Sequence, residues 1–200
     1  MYCGLILAGG DSSRMGADKA KINFEGRSLA AIAAENLHVA GCEDVLVSTR
    51  DGIPWQDWNH CFVADAEGWV GPQAGLFPTL SMADEMGCKW VQLSPCDLPL
   101  LKPTLFTFLY GQVSSSDTAL MPYGPNGAEP LLALVRPKEM CAALLATKDL
   151  GGKSIFAVLE RIGAKPIPYT EIAANGIGEN EFLNANTLSD LRVAKSLLER

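Results

Sequence analysis

Short apolar runs alternate with helical patterns through the first half of the chain, and this alternation restricts the fold more than any other feature of the sequence. Apolar runs of four to six residues have the length of buried strands, and the longer segments between them carry apolar residues at helical spacing. Strands joined by helices form parallel sheets with helices on both faces. The predicted strands are 2–7, 44–48, 60–64 and 90–94, and the predicted helices are 28–40, 76–86 and 103–113.

The second half of the 200-residue chain has a looser pattern, but no internal repeat or low-complexity segment divides it from the first. Two prolines and two glycines between 166 and 181 predict irregular backbone there. We therefore expect one three-layer α/β/α domain over 1–200, in which 1–113 binds a first ligand and 114–200 carries the surface for a second. The remaining predicted strands are 118–121 and 131–135, and the remaining helices are 137–147, 154–162 and a terminal helix after Thr187, whose spacing to Asp190 resembles a capping box.

The first predicted strand leads into a loop that is rich in glycine and in cations. Gly9 and Gly10 allow a close approach of the backbone to a ligand, and Arg14 and Lys19 would neutralise a phosphate. No Lys-Ser or Lys-Thr pair follows Gly16, so this is not a Walker A loop, and the G-x-G-x-x-G dinucleotide pattern is absent as well. The loop is predicted to bind phosphate; an ordinary strand-to-helix loop with surface cations is the alternative.

Acidic residues follow two of the later strands at the point where each strand ends. Asp65 comes directly after the strand 60–64, and Asp97 follows the strand 90–94 in the segment P-C-D-L-P. In an open α/β sheet, ligands bind outside the carboxyl ends of the strands. We therefore expect both carboxylates to share one crevice with the glycine loop.

Charge and composition exclude several classes of protein. The net charge of −7, from 16 basic and 23 acidic residues, argues against a broad nucleic-acid or membrane surface, although a local group of cations can still bind an anion. There is no apolar run of the roughly 18 residues that a membrane span needs, and no signal-peptide pattern. We expect a cytoplasmic protein.

The six cysteines are scattered without any C-x-x-C pair, and only two histidines are present. This spacing makes a zinc site improbable. Most of the cysteines lie in apolar stretches, so we expect them to be buried thiols in a reducing compartment.

The opening loop also resembles a known family. Residues 7–19, L-A-G-G-D-S-S-R-M-G-A-D-K, match the signature L-A-G-G-x-S-x-R-M-G-x-D-K of nucleotidyltransferases, and within that superfamily the chain resembles the molybdenum cofactor guanylyltransferases. The resemblance implies a Rossmann-like nucleotidyltransferase fold with a mostly parallel central sheet. Further matching blocks lie in the family's order at 94–101 (S-P-C-D-L-P-L-L), 127–134 (G-A-E-P-L-L-A-L), 151–155 (G-G-K-S-I) and 182–187 (F-L-N-A-N-T).

The resemblance implies a set of contacts with GTP. Guanine and ribose contacts map to the first loop, and Lys19 maps to the triphosphate. The family commonly has asparagine where this chain has Ser48, which is a departure, whereas Asp65 matches the family's acid and Gly71, Pro72 and Gly75 match its G-P-x-x-G loop. The residues predicted to contact GTP are Leu7, Ala8, Gly9, Gly10, Lys19, Ser48, Asp65, Gly75 and Asp97.

Asp97 is the residue that we expect to bind Mg²⁺, because a carboxylate at a strand end is a suitable hard ligand; a helix cap or a turn before Pro99 is its structural alternative. Asn184 and Asn186 could complete the metal and phosphate environment, or could simply cap the last helix. On the molybdopterin side, the resemblance points to Lys153 with Asn184 and Asn186, and a solvated lysine at a helix start is the alternative for Lys153. Glu129 and Pro130 are expected to shape that surface without a chemical role.

The resemblance implies transfer of GMP from GTP to molybdopterin with release of pyrophosphate, and Arg14, Lys19 and Asp97 are the predicted catalytic residues. The resemblance also implies transient contacts with other cofactor-assembly proteins, and we expect a monomer. One alternative is a sister enzyme, such as a molybdopterin cytidylyltransferase or a sugar-phosphate nucleotidyltransferase. Cytidylyl relatives tend to have L-A-A-G at 7–10, and the extra glycine of this chain leaves room for a purine. A non-catalytic nucleotide-binding module is the other alternative, and the presence of Arg14, Lys19 and Asp97 argues against it.

Overall fold

The computed structural model describes residues 1–9, 19–148 and 154–199. Within these ranges, the predicted strands of the first half are confirmed to within one residue at each end. The strands are β1 (Tyr2–Leu7), β2 (Asn23–Phe24), β3 (Arg27–Ser28), β4 (Asp44–Thr49), β5 (Cys61–Ala64), β6 (Trp90–Pro95), β7 (Ala119–Gly124), β8 (Gly127–Ala128), β9 (Leu134–Val135) and β10 (Lys165–Ile167).

The helices join these strands in the predicted order. The predicted strand 131–135 is shorter than expected, because a 3₁₀ turn over Pro130–Leu132 takes its first part. Further 3₁₀ turns cover Lys19–Lys21 and Glu179–Phe182. The α-helices are α1 (Leu29–Val39), α2 (Pro72–Glu85), α3 (Pro103–Gly111), α4 (Pro137–Lys148), α5 (Ile155–Arg161), α6 (Tyr169–Ala174) and α7 (Leu188–Leu198).

The main sheet is mostly parallel and has the strand order β10-β7-β9-β6-β1-β4-β5, with β8 paired to β7. Strand β1 lies at its centre and pairs in parallel with β4 on one side and β6 on the other. Only β9 and β8 run antiparallel to their neighbours in this sheet, among the described residues. The carboxyl ends of β1, β4, β5 and β6 therefore meet at one edge, as the sequence predicts.

Two apolar cores cover the two faces of the sheet, which gives the predicted three layers. One core joins the sheet to α1, α3, α6 and α7 through side chains such as Leu37 and Phe106. The other joins it to α2, α4 and α5 through side chains such as Leu76 and Leu144. Both faces of the central strands are buried, which is why their sequences are continuous apolar runs. The fold class is thus an α/β/α sandwich of the Rossmann-like type.

Helix α2 begins at Pro72, four residues before the predicted start, and contains Pro78 in its interior. A proline has no backbone N–H, so the carbonyl of Ala74 receives no helical hydrogen bond from residue 78. That carbonyl instead accepts a hydrogen bond of 2.8 Å from the N–H of Ala66. Pro78, which is untypical of a helix interior, thus leaves a carbonyl of α2 available to bind the segment after β5.

The segment 166–181 was expected to be irregular, and this expectation is wrong. It contains the end of β10, the helix α6 and a 3₁₀ turn. Pro166 is compatible with β10 because that strand lies at the edge of the sheet and pairs only with β7. Pro168 stands at the N-cap of α6, where no N–H is required.

The expectation that the cysteines are free thiols is wrong for one pair. Cys3 and Cys88 form a disulfide across 85 positions of sequence, with their Cα atoms 6.2 Å apart. The pairing of β1 with β6 brings them together, because Tyr2 is aligned with Trp90 and the N–H of Lys89 donates to the carbonyl of Met1. Cys42, Cys61, Cys96 and Cys141 take no part in a disulfide among the described residues, and Cys42 and Cys96 are buried.

No helix of the described residues is long and apolar enough to span a membrane.

Candidate nucleotide-binding site

A pocket of about 400 Å³ lies at the carboxyl edge of the sheet, between the end of β1 and the start of α2. Its volume is within the usual range for small-molecule sites. Every residue that was predicted to contact the nucleotide and that the structure describes lines this pocket: Leu7, Ala8, Gly9, Lys19, Ser48, Asp65, Gly75 and Asp97. We refer to it as the main pocket.

The floor of the main pocket is fixed by backbone pairing between neighbouring strands. The N–H of Ala8 donates to the carbonyl of Ser48 at 2.9 Å, which extends the β1–β4 ladder into the loop. The N–H of Asp65 donates to the carbonyl of Thr49 at 3.0 Å. Because the strands end in register, the residues that follow them are held side by side.

Close approach explains both glycines of this wall. A Cβ at Gly9 would lie 2.8 Å from Asp65 Oδ2, and a Cβ at Gly75 would overlap the Ser48 hydroxyl and lie 2.9 Å from Asp65 Oδ1. Real Cβ atoms do not approach other atoms this closely, so a side chain at either position would displace Asp65 or Ser48. The two glycines therefore let Ser48 and Asp65 pack directly against the backbone of the loop and of α2.

Asp65 is partly buried and its surroundings act on its charge in opposite directions. Burial raises the pKa of the Asp65 carboxyl above its usual range, while a hydrogen bond of 3.1 Å donated by Ser48 Oγ to Oδ1 and the charge of Arg50 act to lower it. A ligand N–H donor would stabilise the ionised carboxylate in the same way as the serine does. Asp65 is thus suited to accept hydrogen bonds from a base or a ribose hydroxyl.

In another part of the main pocket, the ammonium group of Lys19 is held between two side-chain oxygens. Lys19 Nζ lies 3.1 Å from Asp97 Oδ2 and 2.8 Å from Asn186 Oδ1. The side chains of Lys19 and Asp97 are 21% and 27% exposed, so a bound ligand can reach both. A carboxylate and an amide oxygen that converge on an ammonium group are oxygens of the kind that Mg²⁺ prefers.

The entry to α7 positions Asn186 for this contact. The predicted capping box is present, because Thr187 Oγ1 accepts from the N–H of Asp190 and Asp190 Oδ2 accepts from the N–H of Thr187. The same Oδ2 accepts from the N–H of Asn186 at 2.8 Å, and the N–H of Ala185 donates to the carbonyl of Asp97 at 2.8 Å. A segment nearly ninety positions from Asp97 in sequence is in this way attached beside it.

Glu129 lies near enough to Asp97 for the charge of Asp97 to affect the titration of Glu129. Burial raises the pKa of the Glu129 carboxyl, and the negative charge of Asp97 raises it further. A cation between the two groups would remove this repulsion. The structure therefore adds an acidic neighbour that was expected only to shape the surface.

The remaining predicted site residues either do not line the main pocket or lie outside the described residues. Asn184 is exposed in the loop before α7, two residues from Asn186. Gly10, Arg14 and Lys153 lie outside the described residues. Ala20, Cys96 and Leu131 also line the main pocket and were not predicted. Ala20 and Cys96 directly adjoin Lys19 and Asp97 in the sequence, and Leu131 lies in the matching block 127–134, so the sequence offered a signal for each of them.

Comparison with known proteins places the chain among nucleotidyltransferases. The model of the family described as "MobA-like NTP transferase domain" matches residues 4–163. A probable molybdenum cofactor guanylyltransferase from Bacillus licheniformis is 30% identical, over 94% of this chain and 93% of its own length. A molybdenum cofactor guanylyltransferase from Desulfosudis oleivorans is 24% identical, over 98% of this chain and 95% of its own length.

Solved structures show the same fold at lower identity. A molybdopterin-guanine dinucleotide biosynthesis protein A from Archaeoglobus fulgidus has a TM-score of 0.80 at 23% identity, covering 100% of this chain and 99% of its own. The 2-C-methyl-D-erythritol 4-phosphate cytidylyltransferase from Thermus thermophilus has a TM-score of 0.70 at 15% identity, covering 100% of both chains. The fold is thus shared by enzymes that are named for different nucleotides.

Proposed function

The chain belongs to the MobA-like NTP transferase family, and from that premise we propose that it transfers GMP from GTP to molybdopterin, with release of pyrophosphate. The observation that carries the proposal is that one pocket is lined by two groups of polar residues, Ser48 with Asp65 and Lys19 with Asp97. Asp65, Ser48 and Gly75 form a wall suited to a base and ribose. Lys19 and Asp97, with Asn186 hydrogen-bonded to Lys19, form a wall suited to phosphates and a metal ion. The relatives from Bacillus licheniformis and Desulfosudis oleivorans are named molybdenum cofactor guanylyltransferases, and we choose the substrates of the proposal from these names.

The residues of the phosphate wall fit Mg²⁺, because Asp97 and Asn186 already direct oxygens at the Lys19 ammonium group. We expect Asp97 to hold the ion, with Asn186 beside it. When bound, Mg²⁺ supplies positive charge to the triphosphate and to the departing pyrophosphate.

The chemistry requires little covalent participation by the protein. An oxygen of the terminal phosphate of molybdopterin attacks the α-phosphorus of GTP, a new phosphorus–oxygen bond forms, and the bond to the β-phosphate oxygen breaks. The attacking phosphate is already anionic, so no general base is required. Lys19, the backbone N–H groups of the first loop and Arg14 serve to align the two anionic reactants and to offset their repulsion.

Positions of the two substrates follow from the two walls. The base lies beside Asp65 and Gly75, and the triphosphate extends towards Lys19 and Asp97. Molybdopterin approaches from the side of Asn184 and Asn186, and Lys153 is a further residue that we propose to bind it. We further propose that the protein acts as a monomer and meets other cofactor-assembly proteins transiently.

The test is pyrophosphate release from the protein with Mg²⁺, molybdopterin and GTP, CTP or ATP in separate reactions. We expect release with GTP and little with CTP or ATP. A preference for CTP, or no release with GTP, would contradict the proposal.

The variant Asp97→Asn tests the assignment of the metal ligand. We expect its turnover to fall by about a hundredfold or more, because the variant weakens the hold on the Mg²⁺ ion that would offset the charge of the reacting phosphates. Asp44→Asn is the matched control, since Asp44 is an exposed residue at the opposite end of strand β4. Unchanged turnover in Asp97→Asn, with both variants folded by circular dichroism, would remove Asp97 from the site.

A further inference from the structure

A second cavity lies on the other side of the carboxyl end of β1. Its volume is about 690 Å³, and it shares Ala8 and Gly9 with the main pocket. The other walls come from the segment before α1, which contributes Lys21, and from the segment that follows β4, which contributes residues between Thr49 and Trp58. The proposed function gives this cavity no role. We call it the tryptophan cavity.

Two half-buried indole rings form one wall of the tryptophan cavity. The rings of Trp55 and Trp58 pack edge to face with centroids 5.0 Å apart, and Phe62 packs against Trp55 at 5.3 Å. Lys21 Nζ lies 5.1 Å from the centroid of Trp55. Indole rings bind planar ligands through large apolar contacts, and a neighbouring ammonium group favours a ligand that is also anionic.

A tight turn places a carboxylate and a guanidinium group in the same cavity. The N–H of Ile53 donates to Asp51 Oδ1 at 3.0 Å, and the N–H of Gly52 donates to Thr49 Oγ1 at 3.0 Å. These hydrogen bonds fix the turn from which Asp51 and Arg50 line the cavity. A carboxylate accepts hydrogen bonds from ring N–H and amino groups of a base, and a guanidinium group binds phosphates and carboxylates.

We propose that the tryptophan cavity binds an anionic ligand built on a 2-amino-4-oxopyrimidine ring, with its ring against Trp55 and Trp58, its N–H edge towards Asp51 and its anionic group at Lys21 and Arg50. Guanine nucleotides and pterins both contain this ring.

The test uses calorimetric titration of the full chain after saturation with the α,β-methylene analogue of GTP and Mg²⁺, which occupies the main pocket without turnover. Pterin-6-carboxylate, GMP and AMP are then titrated separately. We expect pterin-6-carboxylate or GMP to bind at one equivalent, and AMP, which lacks the 2-amino-4-oxo edge, to bind at least about tenfold more weakly. Binding of the pterin alone assigns the cavity to a pterin, and binding of GMP alone assigns it to a guanine nucleotide.

Variants of the cavity separate this site from the main pocket. We expect Trp55→Leu and Asp51→Asn each to weaken this binding by about tenfold or more, because each removes a stacking or a hydrogen-bonding partner. Trp69→Phe is the matched control, since Trp69 stacks on Phe77 at 4.6 Å beside α2, away from the cavity. If Trp55→Leu does not fold, Asp51→Asn in the exposed turn carries the test.

Three results would overturn the proposal. The first is no binding of either pterin-6-carboxylate or GMP to the saturated protein. The second is binding that is unchanged in both Trp55→Leu and Asp51→Asn. The third is binding of AMP as tight as that of pterin-6-carboxylate or GMP. None of these measurements requires turnover, so the tryptophan cavity can fail while guanylyl transfer stands, and the reverse.

Discussion

Asp65 has a backbone that is held in place and a carboxyl pKa that depends on its neighbours. Its N–H donates to Thr49 and the N–H of the next residue donates to Ala74, so the backbone that carries the side chain is fixed beside the main pocket. Its carboxylate is partly buried and receives the hydroxyl hydrogen bond of Ser48. We therefore propose that Ser48 acts on the nucleotide through Asp65.

Replacement of Ser48 by alanine tests this relation through pH. Burial raises the pKa of Asp65 and the Ser48 hydrogen bond opposes that rise. An ionised Asp65 binds base N–H groups better, so affinity for GTP is lost as pH falls through this pKa. Ser48→Ala raises the pKa further, and we expect the acid limb of kcat/KM for GTP to move to higher pH.

The control for this measurement is Ser81→Ala, because Ser81 lies next to Cys141 between α2 and α4 and away from the main pocket. Its pH profile should match that of the unaltered protein. An acid limb that stays in place in Ser48→Ala would show that the hydroxyl does not act on the titrating group.

Gly75→Ala should reduce GTP affinity without unfolding the protein. A Cβ at this position meets Ser48 and Asp65, so the base wall must shift, whereas alanine is otherwise favoured over glycine in a helix by up to about 1 kcal/mol. We expect KM for GTP to rise about tenfold or more. Gly111→Ala at the end of α3 is the control, since a Cβ there meets nothing within 4 Å, and it should leave KM unchanged. An unchanged KM in Gly75→Ala would refute the packing of this wall.

At the scale of elements, the loop between the 3₁₀ turn Glu179–Phe182 and α7 is the one that assembles the phosphate wall. Glu181 is buried at 4% exposure, and its carboxylate accepts from the N–H of Lys102 at 3.1 Å and from the N–H of Gly178 at 3.3 Å. The side chain of Glu181 thus joins the 3₁₀ turn, from which this loop continues, to the segment that follows Asp97. Burial raises the pKa of the Glu181 carboxyl, and the two N–H groups oppose that rise.

Glu181→Ala should both destabilise the protein and impair turnover. It leaves two backbone N–H groups without their acceptor, which costs about 1–3 kcal/mol of the free energy of unfolding. Because Asn186 depends on the same loop, we expect kcat to fall more than KM rises. Glu181→Gln retains an acceptor oxygen and should recover part of both losses.

Glu179→Ala is the control for Glu181→Ala, since Glu179 is exposed in the same 3₁₀ turn. Urea unfolding and steady-state kinetics measure the two effects separately. A destabilised Glu181→Ala with normal kcat would show that the loop does not position the phosphate wall.

Prediction from sequence succeeded for elements whose signals are local. The buried strands were found because parallel core strands are continuous apolar runs, and Asp65 and Asp97 were found because they end such runs. The start of α2 was missed because Pro72, Gly75 and Pro78 are typical of loops. Pro72 is tolerated in the first helical turn, where no N–H is required, and the carbonyl that Pro78 leaves unpaired accepts from Ala66. Glu181 could not be found, because an acidic residue in E-N-E-F gives no local indication of burial.

At the scale of the whole molecule, the disulfide is the feature that the sequence could not reveal. Cys3 and Cys88 are far apart in the chain, and only the register of β1 with β6 brings them together. The bond joins the central strand to the turn after α2. A covalent link across a long loop restricts the unfolded chain and so stabilises the fold.

Reduction should therefore lower stability by about 2–5 kcal/mol. We expect urea unfolding of the unaltered protein to shift to lower urea when reductant is present. Cys88→Ala should lose this dependence, and Cys61→Ser, which alters an exposed free thiol, should keep it. Alkylation of Cys3 and Cys88 in the absence of reductant, read by mass spectrometry, would contradict the bond.

The central claim is that this chain joins a guanine nucleotide to molybdopterin, and one competition reaction tests it most directly. The protein is incubated with Mg²⁺, molybdopterin and equal concentrations of GTP, CTP and ATP. The mass of the dinucleotide product is then measured by mass spectrometry. We expect a product with the mass of molybdopterin plus one guanylyl group (GMP less one water), formed in large excess over the others. A product that carries CMP or AMP, or the absence of any dinucleotide, would contradict it.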